Sequence, residues 1–413
     1  MSRSLALVAL AACGDGVTLP DASTRTDGLD RGRVVVRVLG PSSGFETVYF
    51  QDADSTIALA TRTNEAGEAA ALMAAGGFVT VISNNSVYTW TGVVPGDELE
   101  LDLSFATFDG DFPNVSVRID PMNGAEQYYL FSRCESFREV SAAIDTPIMP
   151  FFDPCLSTTD LVLVPISGSL GIGYRTARNV DLYGGGTVDM RGPYEPFATS
   201  VEVVGPADEF ITVRQKLANN LFTADTSALI DSNHRVVVPT RMAVIPGVTL
   251  QSTVFAFGGA LPKKDGENVL STSLGAYVWG PASNSTMVDL TTSAPRAFTS
   301  RPELDLTSYT LDWSESTGGD AGDAVWVRMG IGSFSWTVIA RHTDETLLQL
   351  PVLPHPDLRP VAETFFVSGF AVVTMDGGYD RLRSYLLGHW SPSDGLYWPM
   401  REASGRVNFR SLN

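Results

Sequence analysis

The feature that most limits what this chain can fold into is its periodicity. From Arg33 onward, short runs rich in Val, Ile, Thr and aromatic residues alternate apolar with polar and stop at Gly, Pro, Asn or Asp. That is the signature of half-buried strands separated by turns. Arg33-Val34-Val35-Val36-Arg37-Val38 ends at Gly40-Pro41, and runs over 47–51, 57–61, 78–82 and 99–103 follow, with Asn64-Glu65-Ala66-Gly67 as a turn. Further strands are predicted at 115–119, 127–131, 161–166, 200–204, 235–239, 253–257 and 276–280, and then at 309–313, 324–329, 334–339, 347–350 and 365–373. One short helix is predicted, Asp380 to Leu387, with Gly388 as its stop. Strands and helices do not alternate, so a doubly wound α/β fold is excluded. The 413 residues exceed one ordinary domain, and 44% hydrophobic residues suffice for several cores. The expected fold is all-β, a tandem array of three to four antiparallel β-sandwich domains.

Breaks in the pattern divide the chain into 31–103, 104–207, 208–300 and 301–413. The first unit resembles the carboxypeptidase-regulatory-like and bacterial immunoglobulin-like repeats, through Val48-Tyr49-Phe50, Thr63-Asn64-Glu65-Ala66-Gly67, Ala75-Gly76-Gly77-Phe78-Val79-Thr80-Val81 and Val94-Pro95-Gly96-Asp97. That resemblance implies a sandwich and no catalysis. The last unit, with Trp313 on an early strand and Leu348-Gln349-Leu350-Pro351 later, resembles a fibronectin type III sandwich. The strands at 115–119 and 309–313, each followed by an aromatic-rich strand, form a weak internal echo consistent with duplication.

The N-terminus carries an address. Arg3 precedes the apolar run Leu5 to Ala12, which is far shorter than the roughly 20 residues a membrane-spanning helix needs and fits a signal h-region of about 7–15. The run ends in Leu10-Ala11-Ala12-Cys13, which resembles a bacterial lipobox. The resemblance implies a signal peptide over 1–12, cleavage before Cys13 and acylation of that residue, with palmitate-type chains anchoring it in a membrane. The alternative is an ordinary buried cysteine in an apolar strand, and twelve residues is short for a signal. Gly14 after Cys13 favours the outer membrane by analogy with lipoprotein sorting, although Asp15 blurs the signal. Residues 13–30 read as the lipidated cysteine and a polar tether.

Export agrees with the cysteine count: with Cys13 assigned to lipid, Cys134 and Cys155 remain as a pair. A disulfide between them would close a loop of about 20 residues and contribute on the order of 3 kcal/mol; two reduced buried thiols are the alternative. Charge narrows the partners. With 28 basic and 47 acidic residues the net is −19, which argues against nucleic acid and against docking on anionic lipid through protein charge. Composition, including only three lysines (Lys216, Lys263 and Lys264), resembles that of multi-domain lipoproteins of GC-rich Gram-negative bacteria.

Catalytic motifs are few. Gly40-Pro41-Ser42-Ser43-Gly44 matches the nucleophile elbow in letters, but it joins two strands and contains Pro41, so it reads as a turn. His234, His342, His355 and His389 are scattered. Two acidic loops offer the hard oxygen ligands calcium prefers: Asp109 and Asp111 in one, and Asp320 and Asp323, with Asp312 and Glu315, in the other. Solvated turn residues are the plainer reading of both. Among the aromatics, Tyr88, Trp90, Trp336, Trp390 and Trp398 are candidates for a sugar-stacking platform, with core packing as the default. Trp390 and Trp398 flank a loop, which makes them the preferred ligand-binding pair.

These readings lead to a lipid-anchored, extracytoplasmic protein of the cell surface or outer membrane with no enzymatic role, binding a glycan or an envelope protein through loops. The competing classes are a polysaccharide-acting hydrolase or its accessory module, which needs carboxylates about 5–9.5 Å apart in a cleft, and a subunit of a larger assembly, which needs a contiguous exposed apolar patch.

Overall fold

The computed structural model describes residues 30–40, 45–103, 115–132, 138–142, 146–148, 158–168, 170–181, 186–217, 222–245, 248–261, 271–353, 355, 358, 365–387 and 404–412. The described chain is all-β and sandwich-like, with a single short helix, Gly378–Arg383. Among the described residues no helix is long and apolar enough to cross a membrane.

One sheet organises the molecule. Its twelve strands run in the order Phe222–Leu229, Phe210–Leu217, Thr249–Ala260, Ser271–Pro281, Gly405–Leu412, Phe365–Met375, Ala324–Ile331, Phe334–Arg341, Ser86–Val93, Gly77–Ser83, Thr47–Gln51 and Ile57–Arg62. Every pairing is antiparallel except that of Phe334–Arg341 with Ser86–Val93, where Trp336 lies beside Val87 and Ile339 beside Trp90. Successive side chains of a strand point to opposite faces, so the sheet has two faces, and both are used.

On one face Phe50, Val79, Trp90, Trp326, Ile339, Val373 and Phe409 pack against the four-stranded sheet Tyr385–Leu387, Glu98–Asp102, Gly32–Leu39 and Glu68–Met73. That smaller sheet contributes Val34, Val36, Val38, Ala69, Ala71, Leu99 and Leu101, each at most 2% exposed. The opposite face carries two cores. Val325, Val327, Trp336, Val338 and Phe370 meet the small sheet Glu303–Asp305, Thr310–Asp312 and Leu347–Gln349 through Leu311, Trp313 and Leu348. Ile211, Val213, Val254, Ala256 and Ala276 meet Arg235–Thr240, Thr199–Val204 and Ser285–Asp289 through Val201, Val203, Val238 and Val288. Each buried Val, Leu, Ile or Phe among them contributes roughly 1.5–3 kcal/mol. Strands between Val115 and Met190 build the remaining two sheets around Val117, Leu130, Leu161 and Leu163. The sandwiches are thus joined through a common sheet that draws on 31–103, 208–300 and 301–413.

Several strands are not expected from the sequence, among them Ser86–Val93, Phe210–Leu217, Phe222–Leu229 and Gly405–Leu412 of the long sheet, and two local outcomes show why. Glu68–Met73 is a strand, although Glu-Ala-Ala-Ala-Leu-Met has little β-propensity. Ala69, Ala70 and Ala71 are all buried there, paired with Val36, Val35 and Val34 of the neighbouring strand. The predicted helix to Leu387 ends at Arg383, because Tyr385–Leu387 extends and pairs in parallel with Glu100–Asp102.

The helix is fastened to the N-terminal strands. The buried Tyr379 hydroxyl donates to the Thr91 carbonyl at 2.5 Å. Arg383 pairs with Asp97 at 2.9 Å, both side chains 11% exposed, and donates to the Gly92 carbonyl. Arg341 and Arg383 also stack their guanidinium groups over the Tyr379 ring. Burial pushes the Tyr379 phenol far above its ordinary pKa.

Candidate functional site

The densest group of chemically able side chains lies beneath the Gly-rich loop that follows Thr310–Asp312. Alternation turns Leu311 and Trp313 into the core and leaves Asp312 exposed. Backbone bridges from Phe298 to Glu315 and from Pro295 to Asp320 then hold the loop against the preceding crossover. Gly319 sits at φ +97°, and a Cβ there would lie 3.0 Å from the Ala294 carbonyl oxygen, so the close approach requires glycine.

That fastening drives Glu315 inward. One of its carboxylate oxygens, Oε1, lies 2.9 Å from Nε2 of His342 and accepts the indole N–H of Trp313 at 2.7 Å. The His342 and Glu315 side chains are 1% and 2% exposed. Trp313 leans on Phe370, with ring centroids 5.0 Å apart. The other oxygen, Oε2, is buried without a hydrogen-bond partner. A carboxylate beside an imidazole is the pairing of acid–base chemistry, but here both groups are enclosed by core side chains.

The four acids of this loop therefore diverge. Asp320 is exposed and its backbone pairs with Ala294 and Arg296. Asp323 accepts the Met375 amide on Oδ2 at 2.8 Å, while its carbonyl receives the His342 amide. Among the described residues, no group of three or more His, Cys, Asp or Glu is placed to hold a metal ion. Asp109 and Asp111 lie outside the described residues, as do Cys13, Cys134, Cys155, Trp390, Trp398 and His389.

Three of the five candidate stacking aromatics are core residues. Tyr88 is 3% exposed, and Trp90 and Trp336 are fully buried. Trp336 donates its indole N–H to Thr89 Oγ1 at 2.9 Å, and Thr89 in turn bonds Thr80. The strand Ser86–Val93 is central in the long sheet, so both of its faces are covered and neither ring can present itself to a sugar. His234 occupies a turn at φ 63° with Nδ1 near the Gly205 carbonyl. His342 is not a stray residue but the partner of Glu315. Sequence spacing could not show this, because the two are 27 positions apart and meet only when their strands pack.

A polar row runs through the opposite face of the strand Gly405–Leu412. Arg406, Asn408 and Arg410 point between the two cores of that face and bind the crossover 289–295. Arg406 donates to the Asp289 and Thr292 carbonyls, Asn408 to those of Thr292 and Ser293, and Arg410, through Nε, to that of Pro295 at 3.0 Å. Asp289 opens the crossover, accepting the amides and hydroxyls of both Thr291 and Thr292. Burial alone would raise its carboxyl, but the bonds from Thr292 and Thr291 outweigh it and hold the pKa at about 2.

No protein-family model matches the chain, and no curated protein matches it in sequence. Among solved structures, it is similar to the Bacillus anthracis TIE protein at 10% identity, over 63% of this chain and 50% of that one, with a TM-score of 0.15. This chain thus spans half the length of that neighbour.

Proposed function

We propose that this protein is a lipid-anchored component of a bacterial cell envelope with a non-enzymatic binding or structural role. The observation that supports this reading is where a tether over 13–30 would join the fold. The strand Gly32–Leu39 lies between Glu68–Met73 and Glu98–Asp102, hydrogen-bonded on both sides, and packs on the long sheet. A pull from an anchor would load two ladders at once. Through the common sheet the same load reaches three sandwich cores. Such a body suits a platform that holds loops in place against a fixed point.

Two measurements test the reading. Labelling with a palmitate analogue in a Gram-negative host should mark the wild type and leave Cys13→Ala unlabelled; label in both, or in neither, would overturn the anchor. A glycan and peptidoglycan binding screen on residues 31–413, with and without calcium, tests the binding role. Specific capture weakened by Trp390→Ala or Trp398→Ala would support a loop site. Turnover of any polysaccharide in that screen would replace this reading with a hydrolase.

A further inference from the structure

We propose that the Nη fork of Arg410, at the seam between the two cores on one face of the long sheet, is a binding site for an oxyanion, either a phosphate or a carboxylate group of a ligand. Three observations on this seam lead there, and none depends on lipid anchoring. The first is position. Arg410 stands between Leu274 and Val372 on neighbouring strands, both buried, so its stem crosses apolar surface before reaching the crossover.

The second is partnership. A guanidinium presents five donors in a rigid fork that matches two oxygens of a carboxylate or phosphate. Among the described residues, Arg410 spends only Nε, on the Pro295 carbonyl, and is joined to no carboxylate. Arg406, four residues away on the same strand, differs: it is held by two crossover carbonyls and Asn408 and feels the charges of Asp289 and Asp376. Burial pulls the Arg410 guanidinium below its ordinary pKa with no anion opposing it. A half-buried guanidinium whose bonded partner is a neutral carbonyl is one that an anion would stabilise.

The third is surroundings. Arg296 follows Pro295 directly, and its guanidinium reaches Asp344 at 3.3 Å from a largely exposed carboxylate. Asp320, in the facing loop, is paired with this segment through its backbone. Arg296, Arg406 and Arg410 thus all meet this crossover, and among the described residues Arg296 has Asp344 and Arg406 has Asp289 and Asp376 beside it, whereas Arg410 has no carboxylate partner. The Pro295 carbonyl fixes the plane of the Arg410 fork, which is the preorganisation that bidentate recognition needs.

The test uses residues 31–413 with sodium phosphate and sodium acetate as separate probes, each against sodium chloride at equal ionic strength. Phosphate tenfold above its Kd should raise the Tm by about 2 °C, and Arg410→Gln should abolish the rise. A response to phosphate alone, or to acetate alone, assigns the ligand class. An equal rise in Arg410→Gln, or none with either probe in the wild type, overturns the site. Should Arg410→Gln fail to fold, phenylglyoxal modification of the wild type, mapped by mass spectrometry, decides. Arg410 should react and be protected by the effective anion; an unreactive or unprotected Arg410 refutes the proposal.

Discussion

Replacing Glu315 with alanine tests the reasoning about the buried acid–imidazole group most directly. In the folded protein one carboxylate oxygen serves two donors, at 2.9 Å and 2.7 Å, from side chains that are almost entirely enclosed. The substitution leaves the Trp313 indole N–H and His342 Nε2 facing the space vacated by the carboxylate. An orphaned buried polar group costs about 1–3 kcal/mol, so orphaning both donors in Glu315→Ala should cost about 2–6 kcal/mol. Trp313→Phe removes one donor without orphaning another, so the lost charge-assisted bond alone should cost less, roughly 1.5–3 kcal/mol. Packing against Phe370 adds somewhat to this. Urea unfolding read by near-ultraviolet circular dichroism gives both values, with the slope m unchanged if the denatured state is unaffected. A loss below about 1 kcal/mol for Glu315→Ala, or a larger loss for Trp313→Phe, would refute the claim that this carboxylate organises the loop.

Three further outcomes follow from the same structure. Thr89→Val should destabilise by about 1–3 kcal/mol, because it orphans the Trp336 indole N–H at the parallel join of the long sheet; an urea midpoint equal to the wild type would contradict this. At alkaline pH the unfolded chain releases tyrosine protons near pH 10, while Tyr379 and Tyr194, the latter pushed up to about 12 mainly by burial, retain theirs. Folding stability should therefore fall as pH rises above about 10, and Tyr379→Phe should flatten part of that slope in a Tm-versus-pH series. Asp289 acts at the other end of the scale. Its pKa is held at about 2, so it stabilises the fold above its unfolded value near 3.9 and loses that contribution as pH falls toward 2. Asp289→Asn should remove this acid dependence between about pH 4 and 2 while leaving the alkaline limb untouched.

Strand identity was legible from residue type, because alternation is a property of a single strand. Val34, Val36 and Val38 declare the inner face of Gly32–Leu39 without reference to any neighbour. The same rule left Glu68–Met73 unread: alanine carries neither β-branching nor bulk, and its strand character comes from the valines opposite. Tyr88, Trp90 and Trp336 show the complementary limit. A residue's type cannot say whether its strand ends at an edge or in the middle of twelve, and only a central place in the sheet buries both of its faces.

The sequence alone determined that the described chain is all-β and where its alternating and β-branched strands lie. Each of these depends on residues a few positions apart. Tertiary structure alone decided that Ser86–Val93 lies in parallel beside Phe334–Arg341, that Tyr385–Leu387 leaves its helix to pair with Glu100–Asp102, that Glu315 meets His342, and that Arg410 stands at the seam between two cores. Backbone donors and acceptors are identical from residue to residue, so a strand's pattern specifies which face goes inward but not which distant strand completes its ladder. That choice is made when the cores close around the long sheet, and the chemistry of the molecule lies where those choices meet.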